Sequence, residues 1–149
     1  KAIKKRAESF GMKVLACDIK PVASDLVSLE KLLAESDFVS LNCDLNPTSR
    51  HLINSNTLAM VKPTAYLINT SRGPVVKEID LVKALEQKKI AGAALDVFED
   101  EPLPGNSPLR KMENVILSPH NANASPKAWN FVHQNTVNNL ISALKSPSK

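Results

Sequence analysis

Three ionisable side chains each stand just past a short apolar run. Arg72 follows Ala65-Tyr66-Leu67-Ile68, Glu101 follows Ala91-Gly92-Ala93-Ala94-Leu95, and His120 follows Val115-Ile116-Leu117. An arginine presents a planar fork that meets a carboxylate through two hydrogen bonds. A histidine exchanges a proton near neutral pH. A carboxylate beside it favours the imidazolium and fixes the ring's orientation. Together the three suit a small molecule that carries a carboxylate next to a carbonyl or hydroxyl. Each also has a plainer reading: Arg72 as a surface ion pair, Glu101 as a turn carboxylate, His120 as a loop histidine. The other histidines, His51 and His133, lie in or beside helical patterns and read as structural. Asp18 follows a further apolar run, Lys13-Val14-Leu15-Ala16-Cys17. A carboxylate there suits the two hydroxyls of an adenosine ribose and repels a 2′-phosphate. The competing reading is a cap or turn residue before Pro21.

Residues so far apart along the chain need a scaffold that brings strand ends together. Short apolar runs, with Phe38-Val39-Ser40-Leu41 added to those above, fit strands buried on both faces. Helical patterns lie between most of them. Ser28 is an N-cap candidate for a helix through Leu29, Leu32 and Leu33. Residues 54–60 form a short helix that stops before Pro63. Residues 78–88 form a stronger one, with Ile79, Val82 and Leu85 recurring every third residue and Leu81 pairing with Leu85. Ser125-Pro126 opens a last helix whose apolar face holds Trp129, Val132, Val137, Leu140, Ile141 and Leu144. Ile3, Ala7 and Phe10 predict a buried stripe on an N-terminal helix. This alternation predicts an α/β fold: a Rossmann-like, doubly wound parallel sheet with helices on both sides. Ligands bind such sheets outside the carboxyl ends of the strands.

Composition sets the outer bounds. The chain has 149 residues, 43% of them hydrophobic and 23% charged, as expected of one globular domain. Only four are glycine (Gly11, Gly73, Gly92 and Gly105), and no two are close together. That spacing excludes a GxGxxG loop and a GxxxxGK[ST] loop within these residues. No apolar run is long enough to span a membrane. The net charge of +4 is matched by Lys1, Lys4, Lys5 and Arg6 alone. So local an excess predicts a solvated helix face rather than a nucleic-acid surface. Cys17 and Cys43 lack CxxC spacing, so neither zinc nor any other metal is expected. As free buried thiols they fit a reducing, cytoplasmic setting.

The segments Asn69-Thr70-Ser71-Arg72-Gly73, Ala94-Leu95-Asp96-Val97-Phe98-Glu99-Asp100-Glu101-Pro102 and Ser118-Pro119-His120 resemble the signatures of the D-isomer-specific 2-hydroxyacid dehydrogenases. The resemblance runs from Lys1 to about Ser142. It implies a two-domain subunit with NAD in a Rossmann domain, acting on a small 2-hydroxy or 2-oxo acid, and a homodimer. By the same resemblance, Arg72 holds the substrate carboxylate and faces the nicotinamide of the cofactor, His120 is the acid–base group, and Glu101 hydrogen-bonds His120. Asp96 contacts the nicotinamide side and Asp18 the adenosine ribose. Cys43, Thr70 and Ser71 line the cofactor, and His120, Asn121, Ala122 and Asn123 border the carboxamide. Asp44 stands where many members have proline, and Asn121 and Asn123 replace more usual apolar and small residues.

Members of that family also carry a strand and a GxGxxG loop before the helix that here begins at Lys1, and a substrate domain before those. The expectation is therefore a partial NAD-binding domain over residues 1–149, without the first strand, the glycine loop or the substrate domain, and inactive on its own. The alternative is a non-catalytic NAD-sensing module like the corepressors of the same family.

Overall fold

The computed structural model describes residues 2–20 and 25–145. Lys1, Pro21 and the tail beyond Lys145 lie outside them. The order is α1 (Ala2–Ser9), α2 (Leu29–Glu35), β1 (Phe38–Leu41), α3 (Ser55–Leu58), β2 (Tyr66–Asn69), α4 (Glu78–Glu86), β3 (Gly92–Leu95), β4 (Val115–Leu117) and α5 (Pro126–Lys145). Single 3₁₀ turns cover Gly73–Val75 and Pro108–Lys111. The chain divides into two compact units, Lys1–Pro119 and His120–Lys149.

The four strands form one parallel sheet in the order β1-β2-β3-β4. Phe38, Tyr66 and Gly92 lie in register, as do Ser40, Ile68, Ala94 and Ile116. This is the α/β, Rossmann-like architecture expected. The run at residues 13–17 departs from expectation: among the described residues it contributes an isolated parallel bridge, Ala16 to Leu26, rather than a strand of the ladder.

Helix starts follow local chemistry. The Ser28 hydroxyl accepts the Lys31 amide at 3.3 Å and caps α2. Asn54 and Thr57 form a reciprocal capping box on α3. The Ser125 hydroxyl accepts the Ala128 amide at 3.1 Å, with Pro126 in the first turn of α5.

The core lies on one face of the sheet. Val39, Leu41, Leu67, Ala93 and Leu95 point into it and meet Leu33 of α2, Leu58 of α3, and Leu81, Ala84 and Leu85 of α4. The opposite face leaves Phe38 and Tyr66 half exposed and stacked at 5.8 Å, with Ile116 mostly exposed. Within the first unit, α2, α3 and α4 all send their buried residues to this one face. The reason is topological. The strands follow chain order in one direction, and right-handed crossovers in one direction all fall on the same face.

Three burial expectations change. Ile79 is exposed, and the buried stripe of α4 is Asp80, Leu81, Ala84 and Leu85. α1 buries no residue, with Phe10 86% exposed. Trp129, Val132, Val137, Leu140, Ile141 and Leu144 are likewise exposed within the second unit. An i, i+3, i+4 pattern shows where a stripe lies but supplies no partner. The cysteines also sit nearer water than expected: Cys17 is exposed and Cys43 half-buried. Among the described residues, no helix is long and apolar enough to cross a membrane.

Candidate functional site

The carboxyl ends of β1 and β2 border a cavity of about 620 Å³, lined in part by Cys43, Asp44, Thr70, Ser71 and Arg72. Cys43, Thr70, Ser71 and Arg72 were singled out from the sequence, and the fold places them around one opening. Leu41, Asn42 and Leu45, which the sequence did not single out, complete the wall.

Each loop is held by short-range polar contacts. Asn69 is buried at the last position of β2. Its side-chain oxygen accepts the Ser71 amide (3.1 Å) and hydroxyl (2.8 Å), and its amide donates to the Arg72 carbonyl at 3.0 Å. The turn that presents Arg72 is thus organised by one asparagine. The Arg72 side chain is exposed, with Nη1 donating to the Ser71 carbonyl at 2.6 Å. On the β1 side, the Ser49 hydroxyl donates to the Asp44 carbonyl at 2.6 Å, and the Asn46 side chain accepts the Thr48 amide and hydroxyl.

Gly73 explains how the Arg72 loop lies against the next one. A Cβ there would sit 1.7 Å from the carbonyl oxygen of Phe98, so only glycine permits this backbone approach. Beyond it, Asp96 is buried, and its amide donates to the Asn69 carbonyl at 3.0 Å. Glu101 accepts the Phe98 amide at 3.0 Å.

Asp18 lies near enough to Cys43 for its charge to act on the thiol. Burial pushes the Cys43 pKa up; a backbone hydrogen bond opposes this, and the charges of Asp44 and Asp18 add to the rise. A thiol so placed stays protonated, which suits a wall residue rather than a nucleophile. Asp18 itself accepts the Lys20 amide at 2.8 Å, in the manner of an Asx turn. His120 opens the second unit with a left-handed backbone (φ 56°). Asn121, Ala122 and Asn123 come next, the Asn121 and Asn123 carbonyls accepting the Ala124 and Ser125 amides.

The sequence reading missed a second polar cluster. His51 Nε2 lies 2.6 Å from Glu99 Oε1, and Glu99 Oε2 accepts the Glu78 amide at 2.8 Å. The Glu99 amide in turn donates to Glu78 Oε2 at 3.2 Å. The available signal was a pair of carboxylates, one opening a helix and one in an acidic turn.

Burial pushes the Glu78 carboxyl above the usual carboxylate range. The Glu99 backbone amide works against this, and the charges of Glu99 and Asp100 add to it. A carboxyl raised in the fold stabilises it fully below the unfolded pKa, and that contribution is lost as pH rises through the raised value. Glu78→Gln keeps the acceptor and removes the charge. Its thermal midpoint relative to wild type should therefore be higher at pH 7 than at about pH 4. Melting both proteins at the two pH values checks this, and a difference that shrinks or reverses towards pH 7 counts against it.

The donor set fits one part of a dinucleotide. A cavity of this size is within the ordinary range for small-molecule sites. It offers the Thr70 and Ser71 hydroxyls and a guanidinium, with the Asp18 carboxylate close to its Cys43 wall. A parallel sheet with such a cavity at its strand ends defines a Rossmann-like nucleotide-binding domain.

The family model for the D-isomer specific 2-hydroxyacid dehydrogenase NAD binding domain matches residues 1–122. The chain is 46% identical to the glyoxylate reductase of Korarchaeum cryptofilum over 147 residues, covering 94% of this chain and 44% of that protein. Among solved structures, a D-lactate dehydrogenase from Sporolactobacillus sp. is 31% identical, with a TM-score of 0.83, covering 99% of this chain and 50% of that one. The NAD complexed form of a D-isomer specific 2-hydroxyacid dehydrogenase from Lactobacillus delbrueckii ssp. bulgaricus is 29% identical, with a TM-score of 0.83 and the same coverage. This chain belongs to the D-isomer specific 2-hydroxyacid dehydrogenase family and matches its NAD-binding domain. It spans about half the length of these relatives or less.

Proposed function

We propose that these residues form part of the NAD-binding domain of a dehydrogenase that interconverts a D-2-hydroxy acid and a 2-oxo acid. The observation that carries this reading is the cavity where Cys43, Thr70, Ser71 and Arg72 converge at the strand ends, in a chain of this family. When bound, NAD supplies the hydride acceptor. The Arg72 fork holds the substrate carboxylate through two hydrogen bonds and so orients C2. His120 takes the hydroxyl proton as the hydride leaves C2, and returns it in the reverse direction. Glu101 is assigned as the carboxylate that orients the His120 ring. Asp18 accepts from the ribose hydroxyls and repels a 2′-phosphate, favouring NAD over NADP. Asp96 lies on the nicotinamide side, and His120 to Asn123 border the carboxamide.

The names of the relatives point to a small 2-oxo acid such as glyoxylate or pyruvate. The 149 residues hold no glycine-rich phosphate loop, so the activity is proposed for the full-length protein and not for this stretch alone. The test is NADH oxidation by the full-length protein with glyoxylate, pyruvate and hydroxypyruvate, repeated with NADPH. Turnover of at least one acid, faster with NADH, is the expected result. Absence of turnover with all three acids and both cofactors overturns the reading.

A further inference from the structure

We propose that His51 is a positioning residue: by pairing with Glu99 it holds in place the loop that carries Glu101. This rests on the dehydrogenase reading above for its catalytic consequence, but not for its structural content.

Three strand-end loops meet at this pair. His51 lies in the loop after β1, Glu78 opens α4 after β2, and Glu99 lies in the loop after β3. The Glu99 carboxylate joins all three, one oxygen to the His51 ring and the other to the Glu78 amide. Because a carboxylate only accepts, His51 Nε2 carries the proton in this contact. The backbone fixes the ring in turn. The His51 amide donates to the Pro74 carbonyl at 2.8 Å, and the Asn54 side chain donates to the His51 carbonyl at 2.9 Å. A short parallel bridge from Ile53 to Val76 continues the same seam.

His51 holds this place in a left-handed backbone conformation (φ 52°), uncommon for a residue with a side chain. Its side chain is 35% exposed and that of Glu99 27%, so the pair is partly withdrawn from water. Glu78, Glu99 and Asp100 gather negative charge at this point, and the His51 N–H is the side-chain donor that meets it.

The link to Glu101 is two residues long. Phe98 and Glu99 are consecutive, and the Phe98 amide is held by the Glu101 carboxylate. The Phe98 carbonyl also lies against Gly73, next to Arg72. Releasing Glu99 therefore frees the turn that aims Glu101, while the Cys43–Thr70 side of the cavity keeps its own supports. The consequence is a loss in the chemical step with little change in dinucleotide binding.

His51→Asn tests this, because asparagine tolerates the left-handed backbone but is too short to reach Glu99. His51→Gln is the rescue, since its amide nitrogen falls near the place of Nε2. In full-length His51→Asn, kcat should fall at least about tenfold with KM for NADH within about twofold, and His51→Gln should recover most of the loss. Hydrogen exchange at the Phe98 and Glu99 amides gives a readout independent of turnover. Both should exchange at least about tenfold faster in His51→Asn and be protected again in His51→Gln. Unchanged exchange overturns the proposal, even if the protein turns over no 2-oxo acid. Faster exchange with kcat unchanged in an active enzyme overturns the catalytic consequence. If His51→Asn does not fold, Glu99→Gln weakens the same pair without changing its shape and should show the same pattern.

Discussion

Replacing His120 by alanine in the full-length protein should lower kcat for a 2-oxo acid by about 10²–10⁴-fold, the range for a positioned acid–base group. The dinucleotide should still bind, because the cavity wall at Cys43, Thr70 and Ser71 is untouched. Arg72→Ala should act differently. Losing the fork raises KM for the 2-oxo acid and also lowers kcat, since the carboxylate contact orients C2 for hydride transfer. Arg72→Lys should recover only part, because an ammonium keeps the charge without the planar two-point geometry. Steady-state kinetics with NADH and varied 2-oxo acid separate these outcomes. Full turnover in both alanine variants would show that neither residue has the role proposed, and the dehydrogenase mechanism would fall.

Gly73→Ala should be the most damaging small substitution in the first unit. The added methyl would meet the Phe98 carbonyl oxygen at 1.7 Å, its carbon at 2.0 Å and the Glu99 nitrogen at 2.7 Å. These are backbone atoms of the neighbouring strand-end loop, so no rotamer change relieves the clash. Overpacking of this kind costs on the order of 3 kcal/mol. For a chain of this size that is a drop of roughly 6–12 °C in thermal midpoint. Activity should fall further than stability alone explains, because the two loops forced apart carry Arg72 on one side and Glu99 and Glu101 on the other. Gly105→Ala is the control: its added Cβ meets nothing within 4 Å. Its midpoint should stay close to wild type. A Gly73→Ala protein that melts and turns over like wild type would mean the loops do not need this close approach.

The candidate site was unevenly legible. Arg72 could be found because parallel α/β sheets place ligands at carboxyl strand ends, and an apolar run shows where a strand stops; Thr70, Ser71 and Cys43 were legible only through the family resemblance. Asn69 could not, since its importance lies in three hydrogen bonds that exist only once the turn has formed. His51 and Glu99 are 48 positions apart. Nothing in their spacing links them, because the contact is made by strand order and not by helix or strand periodicity.

The first apolar run shows the same limit. Residues 13–17 have strand composition, yet a strand needs a partner in register, and among the described residues the run makes one bridge, at Ala16. Ile79 fits the apolar spacing of α4 but faces water, while Asp80 is buried. The Asp80 carboxylate accepts the Ser55 amide at 3.0 Å, and this bond is the main cause holding its pKa below the usual range. A satisfied carboxylate can occupy an inward position that a hydrophobic scale assigns to isoleucine.

Fold class, helix starts and the polar residues at the strand ends, Arg72 among them, are local properties. They depend on composition, capping side chains and the polar residues that end each apolar run, all of which a linear chain displays. Which face of the sheet is covered, which apolar stripe finds a partner, and which carboxylate meets His51 are non-local. They are set by strand order and the handedness of the crossovers, which bring distant residues within hydrogen-bond distance only after the sheet has assembled.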